Sequence, residues 1–440
     1  MGETRKVLVL GASGLIGRFV TDDLRARGFH VVALARRFSS SQAPGADNLE
    51  MPLLAMDWSA LARLIGTHGV DVVVNCVGLL QDVPGSDVGV VHRDFVAQLL
   101  RAIHECGRPI SLVHISIPGE AADDRTGFAI TKREAEHLIA SSGIAHAILR
   151  PGFVIAPAAY GGSAMVRALA SLPFQLPAAE SGVPFQPVMV EDVSATIAFL
   201  ASRQIGDKSW DAVVWDLMQQ EPVTLGGVID WFRRSLATKD LPRITIPAFA
   251  LDIGARLGDF ASQLGWTPPI RSTALAELRR GVRGDPSAWM AATGIVPADA
   301  ARALAMRSAT IQDKWFSRLY LIKALVIASL VVFWSVSGFI ALFVSYDAAT
   351  DILRSHALPP ALVAPITVLT SVMDITIGVL IAFRRTAGVG LIAGIAASFG
   401  YMSGAAILTP DLWIEPLGAL VKTGPAVVLM LVGLAILDNR

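Results

Sequence analysis

Gly11, Gly14 and Gly17 follow the all-apolar run Val7-Leu8-Val9-Leu10 at three-residue intervals. Glycines in that pattern let a chain turn tightly at the end of a buried strand, bring bare backbone up to a phosphate, and open a helix packed close to the strand. A helix N-terminus adds free N–H groups and a partial positive charge, which suit the pyrophosphate of a dinucleotide. The expected phosphate cradle is the backbone of Gly11, Ser13, Gly14, Leu15, Ile16 and Gly17, with Arg18 able to reach the same anion. A second apolar run, Val31–Ala35, ends at Arg36-Arg37. An acid there would hold the ribose hydroxyls of NAD; two bases suit the extra phosphate of NADP, so NADP is expected ahead of NAD. Asp57 stands where it could accept from an adenine amine, and the Asn75–Gly78 stretch ends a strand where backbone passes close to the nucleotide.

The elements that must position these residues alternate. Strand-like runs recur at Val31–Ala35, Leu53–Met56, Val70–Val77, Leu112–Ile115 and Ala147–Leu149. Helical stretches separate them at Leu15–Arg27, Ser59–Thr67, Asp94–Cys106 and Thr131–Ser142. That alternation predicts an α/β fold, a Rossmann-type doubly wound parallel sheet. From Pro151 the pattern loosens, as in a substrate-side region with long loops. Helices return at Val190–Arg203, Leu225–Leu236, Leu251–Leu264, Ser272–Arg280 and Pro297–Ala305. The expected division is a nucleotide domain over 1–240, a helical extension and linker over 241–316, and a C-terminal four-helix transmembrane domain over 317–440.

The membrane reading rests on composition. Apolar residues make up 53% of the chain and charged residues 17%, which is low for a soluble enzyme. The excess lies after residue 320, in Ala324–Val344, Pro360–Phe383, Thr386–Thr409 and Pro416–Leu437. Each is long enough to cross a bilayer as a helix. Lys314, Arg318, Lys323, Arg384, Arg385 and Arg440 flank one set of ends; the other loops carry Asp347, Asp351, Asp411 and Glu415, with Arg354 their one base. The positive-inside rule then places both termini and the nucleotide domain in the cytoplasm, on a multi-pass protein of the cell (inner) membrane. A net charge of zero gives no field for nucleic acid. Cys76 and Cys106 lack metal-ligand spacing, so no metal is expected and both read as ordinary thiols.

Asp374 is the one acid inside a span. Ser398 lies at a similar depth, roughly 17 Å against 21 Å at helical rise, and is expected as its hydrogen-bond partner. Lys422, roughly 9 Å deep, is expected to snorkel outward or to meet Tyr401. Asp374 reads either as a proton or quinone site or as a protonated packing residue.

Gly11-x-x-Gly14-x-x-Gly17, Asp57-Trp58, Asn75-Cys76-Val77-Gly78, Ser116, Lys132 and Arg150-Pro151-Gly152 together resemble the short-chain dehydrogenase/reductase superfamily, in its extended or atypical branch, over residues 5–305. The segment Gln186–Val193 is similar to the nucleotide-binding accessory subunit of respiratory complex I, in which the nucleotide is held for structure. The four spans, with Pro416-Leu417-Gly418 and Lys422 opening the last, resemble the DoxX-like membrane proteins, some of which are linked to quinone or thiol redox chemistry. The superfamily resemblance implies a catalytic serine, tyrosine and lysine. Ser116 and Lys132 match, and Pro151 and Lys132 join the implied cofactor contacts. The tyrosine position, four residues before the lysine, is Phe128, which can neither give nor take a proton. Tyr160 and His114 are the remaining candidate acids.

Two functions stay open. One is a membrane-tethered NAD(P)H-dependent oxidoreductase passing hydride to a quinone or another lipid-soluble acceptor. The other is a non-catalytic NADP(H)-binding structural, assembly or redox-sensing membrane protein, which the loss of the acid fits directly. A transporter with a regulatory nucleotide domain is disfavoured by spans with so few polar residues. Oligomeric state is not legible.

Overall fold

A computed structural model describes residues 5–38, 47–82, 86–203, 212–238, 242–356, 358–414, 418 and 420–437. The chain divides into two compact units. The first comprises Met1–Gly258 and Pro269–Ser317; the second comprises Asp259–Pro268 and Arg318–Arg440.

The first unit is built on a seven-stranded sheet. Its strands are β1 (Lys6–Leu10), β2 (His30–Ala35), β3 (Asn48–Glu50), β4 (Val72–Asn75), β5 (Ser111–Ile115), β6 (His146–Pro151) and β7 (Ala212–Leu217). They lie in the order β7-β6-β5-β4-β1-β2-β3, and all pair in parallel. Helices α1 (Leu15–Ala26), α2 (Trp58–His68), α3 (Phe95–Glu105) and α4 (Gly127–Ala140) make the crossovers. Side chains alternate between two faces, and both are covered. Val7 and Val9 of β1 join Val20 and Leu24 of α1 and Ile197 of the Val190–Ser202 helix in one core. Leu8 and Leu10 join Leu61 of α2, Leu99 of α3 and Ile139 of α4 in the other. The order reverses between β1 and β4, which opens a crevice at the carboxyl ends of those strands.

Two details differ from the sequence pattern. Leu53–Met56 was expected as the third strand; Leu53–Ala55 is a 3₁₀ turn, and β3 lies earlier. Pro52 has no N–H for a ladder and ends the pairing at Met51, whose N–H donates to Ala35 O. β7 lies in the stretch expected to be loop-rich. It is an edge strand with Val214 exposed and Trp215 and Leu217 buried.

In the second unit, the helices of Ile311–Val344, Pro360–Ala382 and Ala387–Leu408 are long and apolar enough to cross a membrane, and Thr423–Ala435 is a shorter apolar helix. Pro416 and Leu417, expected to open the fourth span, lie outside the described residues, and Lys422 caps the shorter helix. The helices approach closely: a Cβ on Gly378 would collide with Ser335 Oγ. An additional helix, Tyr346–Ser355, precedes His356, whose Nε2 pairs with Asp411 Oδ1 at 2.7 Å.

Candidate functional site

The glycine turn takes the shape its spacing implies. Gly11 sits at φ +78°, a left-handed conformation open to glycine. The N–H groups of Gly11 and Ala12 donate to Leu34 O at 2.9 and 3.1 Å, and Gly14 N donates to Gly11 O at 3.0 Å. A Cβ on Gly17 would collide with Gly11 O and lie 2.9 Å from Gly11 C, so α1 can lie this close to the turn only with glycine there. Gly14 caps α1 without a side-chain hydrogen bond, and the first turn holds no acid. The positive end of the helix is therefore left for an anion. Ser13, Leu15 and Ile16 complete this half-buried rim. Arg36 and Arg37 are exposed directly beyond β2. A dinucleotide fits this cradle.

Asp57 has a local duty. Its Oδ1 caps α2, accepting from Ala60 N at 2.8 Å and Ser59 Oγ at 2.9 Å. Those two donors hold the carboxyl below its usual range.

The ends of β4, β5 and α4 build the second half of the site. Asn75 Oδ1 accepts from Val77 N at 3.0 Å, and its Nδ2 bonds His114 Nδ1 at 3.1 Å. Lys132 is 5% exposed and its Nζ donates to Ile115 O at 2.8 Å. A Cβ on Gly78 would lie 3.6 Å from that Nζ and 3.9 Å from His92 Nε2. Ser116 directly follows β5, buried beside the Glu136 carboxylate, and its Oγ makes no well-formed hydrogen bond. Pro151 ends β6, whose Leu149 O accepts from Ser116 N at 2.7 Å, so Pro151 and Ser116 lie at the same sheet edge.

Burial tunes the titratable groups here in different directions. It pushes the Cys76 thiol up to about 12. It pushes His92 down to about 3, with the Lys132 charge adding to the effect, and holds His114 well below its usual value. Lys132 falls to about 8, because its ammonium has lost water and the nearby Cys76 and Glu136 only partly compensate. Of these four, Lys132 alone changes charge near neutral pH.

Phe128 occupies the position of the missing tyrosine, one turn before Lys132 on α4. Its ring packs edge-on against His92, with centroids 5.6 Å apart. His92 Nε2 accepts from Leu79 N at 3.1 Å, so its Nδ1 carries the proton and donates to Thr131 Oγ1 at 2.9 Å. Sequence reasoning missed His92. Its one signal was a lone histidine before an apolar helix, which more often marks surface. Tyr160 opens the Gly161–Ser171 helix, 37% exposed.

Arg133, next to Lys132, is treated differently by the fold. It binds Asp124 at 2.8 Å and Glu136 at 3.1 Å, and also donates to Ile117 O and Pro118 O. Arg280 takes the other oxygen of Asp124 at 2.6 Å, and Arg150 pairs with Glu136. Burial would raise the Glu136 carboxyl; Arg150, Ser116 and Arg133 outweigh it and hold it low.

Within the C-terminal unit, Asp374 does not pair with Ser398. Tyr401 Oη donates to Asp374 Oδ1 at 2.6 Å, and the buried Ser398 Oγ has no hydrogen-bond partner among the described residues. The two residues differ by about six positions from their connecting turn, roughly 9 Å of rise. Helical side chains lean toward their own N-terminus, and these helices run antiparallel, so both lean to close the gap. Lys422 therefore loses the tyrosine as a partner.

A parallel sheet of this order, with an anion cradle at its switch point, defines a dinucleotide-binding protein of the short-chain dehydrogenase/reductase type. The profile of the NAD dependent epimerase/dehydratase family matches residues 7–172, and that of the DoxX-like family matches 331–431. The chain belongs to the NAD dependent epimerase/dehydratase family and carries a DoxX-like domain, as a membrane protein, at its C-terminal end. A 3-diazoavenalumate denitrifying reductase of a Streptomyces species is 32% identical over 230 residues, covering 46% of this chain and 74% of the relative. A dTDP-6-deoxy-L-talose 4-dehydrogenase (NAD(P)(+)) of Kitasatospora kifunensis is 30% identical over 110 residues; the match spans 25% of this chain and 34% of that enzyme. Among solved structures, UDP-glucose 4-epimerase of Thermotoga maritima superimposes with a TM-score of 0.52 at 14% identity, over 73% of this chain and 99% of that one. UDP-glucuronic acid 4-epimerase of Bacillus cereus gives 0.52 at 15% identity, over 72% and 100%. These likenesses establish the fold.

Proposed function

We propose that the protein is a membrane-tethered NAD(P)H-dependent reductase that prefers NADP(H) and passes reducing equivalents to a lipid-soluble carbonyl acceptor such as a quinone. The observation that carries this reading is the pairing of an open anion cradle with Ser116 and Lys132, two buried and under-satisfied polar groups at the same sheet edge. Arg36 and Arg37 favour the extra phosphate. The reductase from Streptomyces, 32% identical over 230 residues, supports the reductive direction. Lysines and arginines near one set of span ends support a cytoplasmic nucleotide domain and cytoplasmic termini in the cell membrane. The Asp374–Tyr401 pair, a carboxylate and phenol inside the apolar bundle, supports an acceptor that lives in lipid.

When bound, the reduced nicotinamide supplies a hydride. The chain supplies orientation and a proton. Ser116 Oγ donates to the acceptor oxygen and holds it in place. Lys132, near its midpoint at pH 8, releases a proton to that oxygen and regains one from solvent. Phe128 and the neutral imidazoles of His92 and His114 exclude water and take no part in proton transfer.

The second reading, a non-catalytic NADP(H)-binding module, is favoured by Phe128 alone. The test is NADPH oxidation by the full chain in lipid nanodiscs with short-chain quinones. Turnover that falls in Ser116→Ala and in Asp374→Asn supports the reductase with a lipid-side acceptor. NADPH held tightly, with no turnover on any acceptor, supports the binding module.

A further inference from the structure

The helix Ala248–Gln263 is built inside out for a water-soluble surface. Phe249, Ile253, Leu257 and Phe260 recur at helical spacing along one stripe, and they are 66, 52, 62 and 59% exposed. Small residues face the other way. Ala255 is 2% exposed, and a Cβ on Gly258 would collide with Ile270 O. A soluble helix puts its bulky apolar residues inward and its polar residues outward. Here Arg256 is exposed beside the stripe, on a stem long enough to snorkel away from an apolar boundary, and the half-exposed Asp252 on the same flank is paired with Arg279 at 2.8 Å.

The end of the same helix is tied to the membrane helices. Asp259–Pro268 belongs to the C-terminal unit. Trp266 Nε1 donates to Ala382 O, the last residue of the second spanning helix, at 2.7 Å. Arg384 N donates to Leu264 O at 3.0 Å, and the Arg384 guanidinium lies 5.6 Å from the centre of the Trp266 ring. A tryptophan and an arginine at the end of a span are typical of the headgroup level. The helix therefore ends at the depth where the acyl region gives way to headgroups.

We propose that Ala248–Gln263 lies in the membrane interface, on the side where the second spanning helix ends, with Phe249, Ile253, Leu257 and Phe260 in the acyl boundary. The occupant of this apolar face is lipid. Three observations select it: the inverted amphipathicity, the continuity of the helix with a span end, and Arg256 and Arg384, which match anionic headgroups. The proposal rests on the bilayer reading of the C-terminal helices.

Bimane quenching by doxyl-labelled lipids tests it on the full chain in phosphatidylcholine/phosphatidylglycerol nanodiscs. Cys76 is replaced by Ala and Cys106 by Ser, and single cysteines are introduced as Ile253→Cys and Leu257→Cys. Val296→Cys, a solitary exposed apolar residue of the first unit, serves as the dry control, and Leu369→Cys, 69% exposed on a spanning helix, as the lipid control. Quenching of roughly threefold at 253 and 257 is expected for a depth of about 5–10 Å, with little at 296. Quenching at 369 but not at 253 and 257 overturns the proposal, including the case where a second copy covers the stripe. No quenching at any position would overturn the bilayer reading of the C-terminal helices itself and this proposal with it.

Discussion

Lys132 and Arg133 are neighbours on α4, both buried and both cationic, yet the fold treats them in opposite ways. Arg133 meets two carboxylates and backbone carbonyls, and its carboxylates are shared with Arg280 and Arg150. Among the described residues Lys132 makes one side-chain hydrogen bond, to Ile115 O, and its pKa falls to about 8. A charge network satisfied on every side fixes architecture. A charge held with fewer partners than it could use is a cost to stability, and such costs gather at working sites. The contrast separates the part of this helix that positions the site from the part that serves it.

The contrast is broken most sharply at Arg133. Arg133→Met leaves Asp124 and Glu136 each with a single arginine, and about 3 kcal/mol of stability should be lost by chemical denaturation. Gly17→Ala crowds the turn; a loss of about 1–3 kcal/mol is expected, together with loss of NADPH binding by calorimetry. Lys132→Met should go the other way. A folded pKa of about 8 against 10.5 means that burying the ammonium costs about 3 kcal/mol below pH 8. Stability of the parent protein should therefore rise between about pH 8 and 10.5, where the unfolded chain binds more protons, and Lys132→Met should abolish that rise. After subtraction of the lost hydrogen bond to Ile115 O, the variant gains about 1–2 kcal/mol at pH 7 while losing activity. A structural lysine would give a less stable variant. The smallest effect is at the rim: Arg36→Ala should weaken NADPH about tenfold and leave NADH unchanged in titrations. Equal losses for both would assign that arginine to surface charge.

The sequence made the nucleotide half of the site legible because backbone geometry there demands glycine, and glycine is visible. The Gly11–Gly17 turn, β1, β2, β4, β5, β6 and the α1 crossover follow from that turn and from apolar alternation. The third strand was misplaced because Leu53 is buried in a 3₁₀ turn as deeply as a strand residue would be, and burial alone does not report conformation. β7 was missed because an edge strand buries only one face. His92 and the Arg133 network depend on pairings over dozens of residues, which no local pattern encodes. The Asp374–Tyr401 bond was hidden for a related reason. Depth counted in residues along each helix ignores the lean of the side chains, and that lean moved the partner from Ser398 to Tyr401.

The most direct test is the pH profile of NADPH oxidation by the full chain in nanodiscs with a short-chain quinone. If Lys132 supplies the proton, turnover holds below about pH 8 and falls as pH rises through that value, and Lys132→Met lacks both the rate and the transition. A profile without that transition in the parent protein, or a Lys132→Met variant that turns over at the parent rate, would contradict the account.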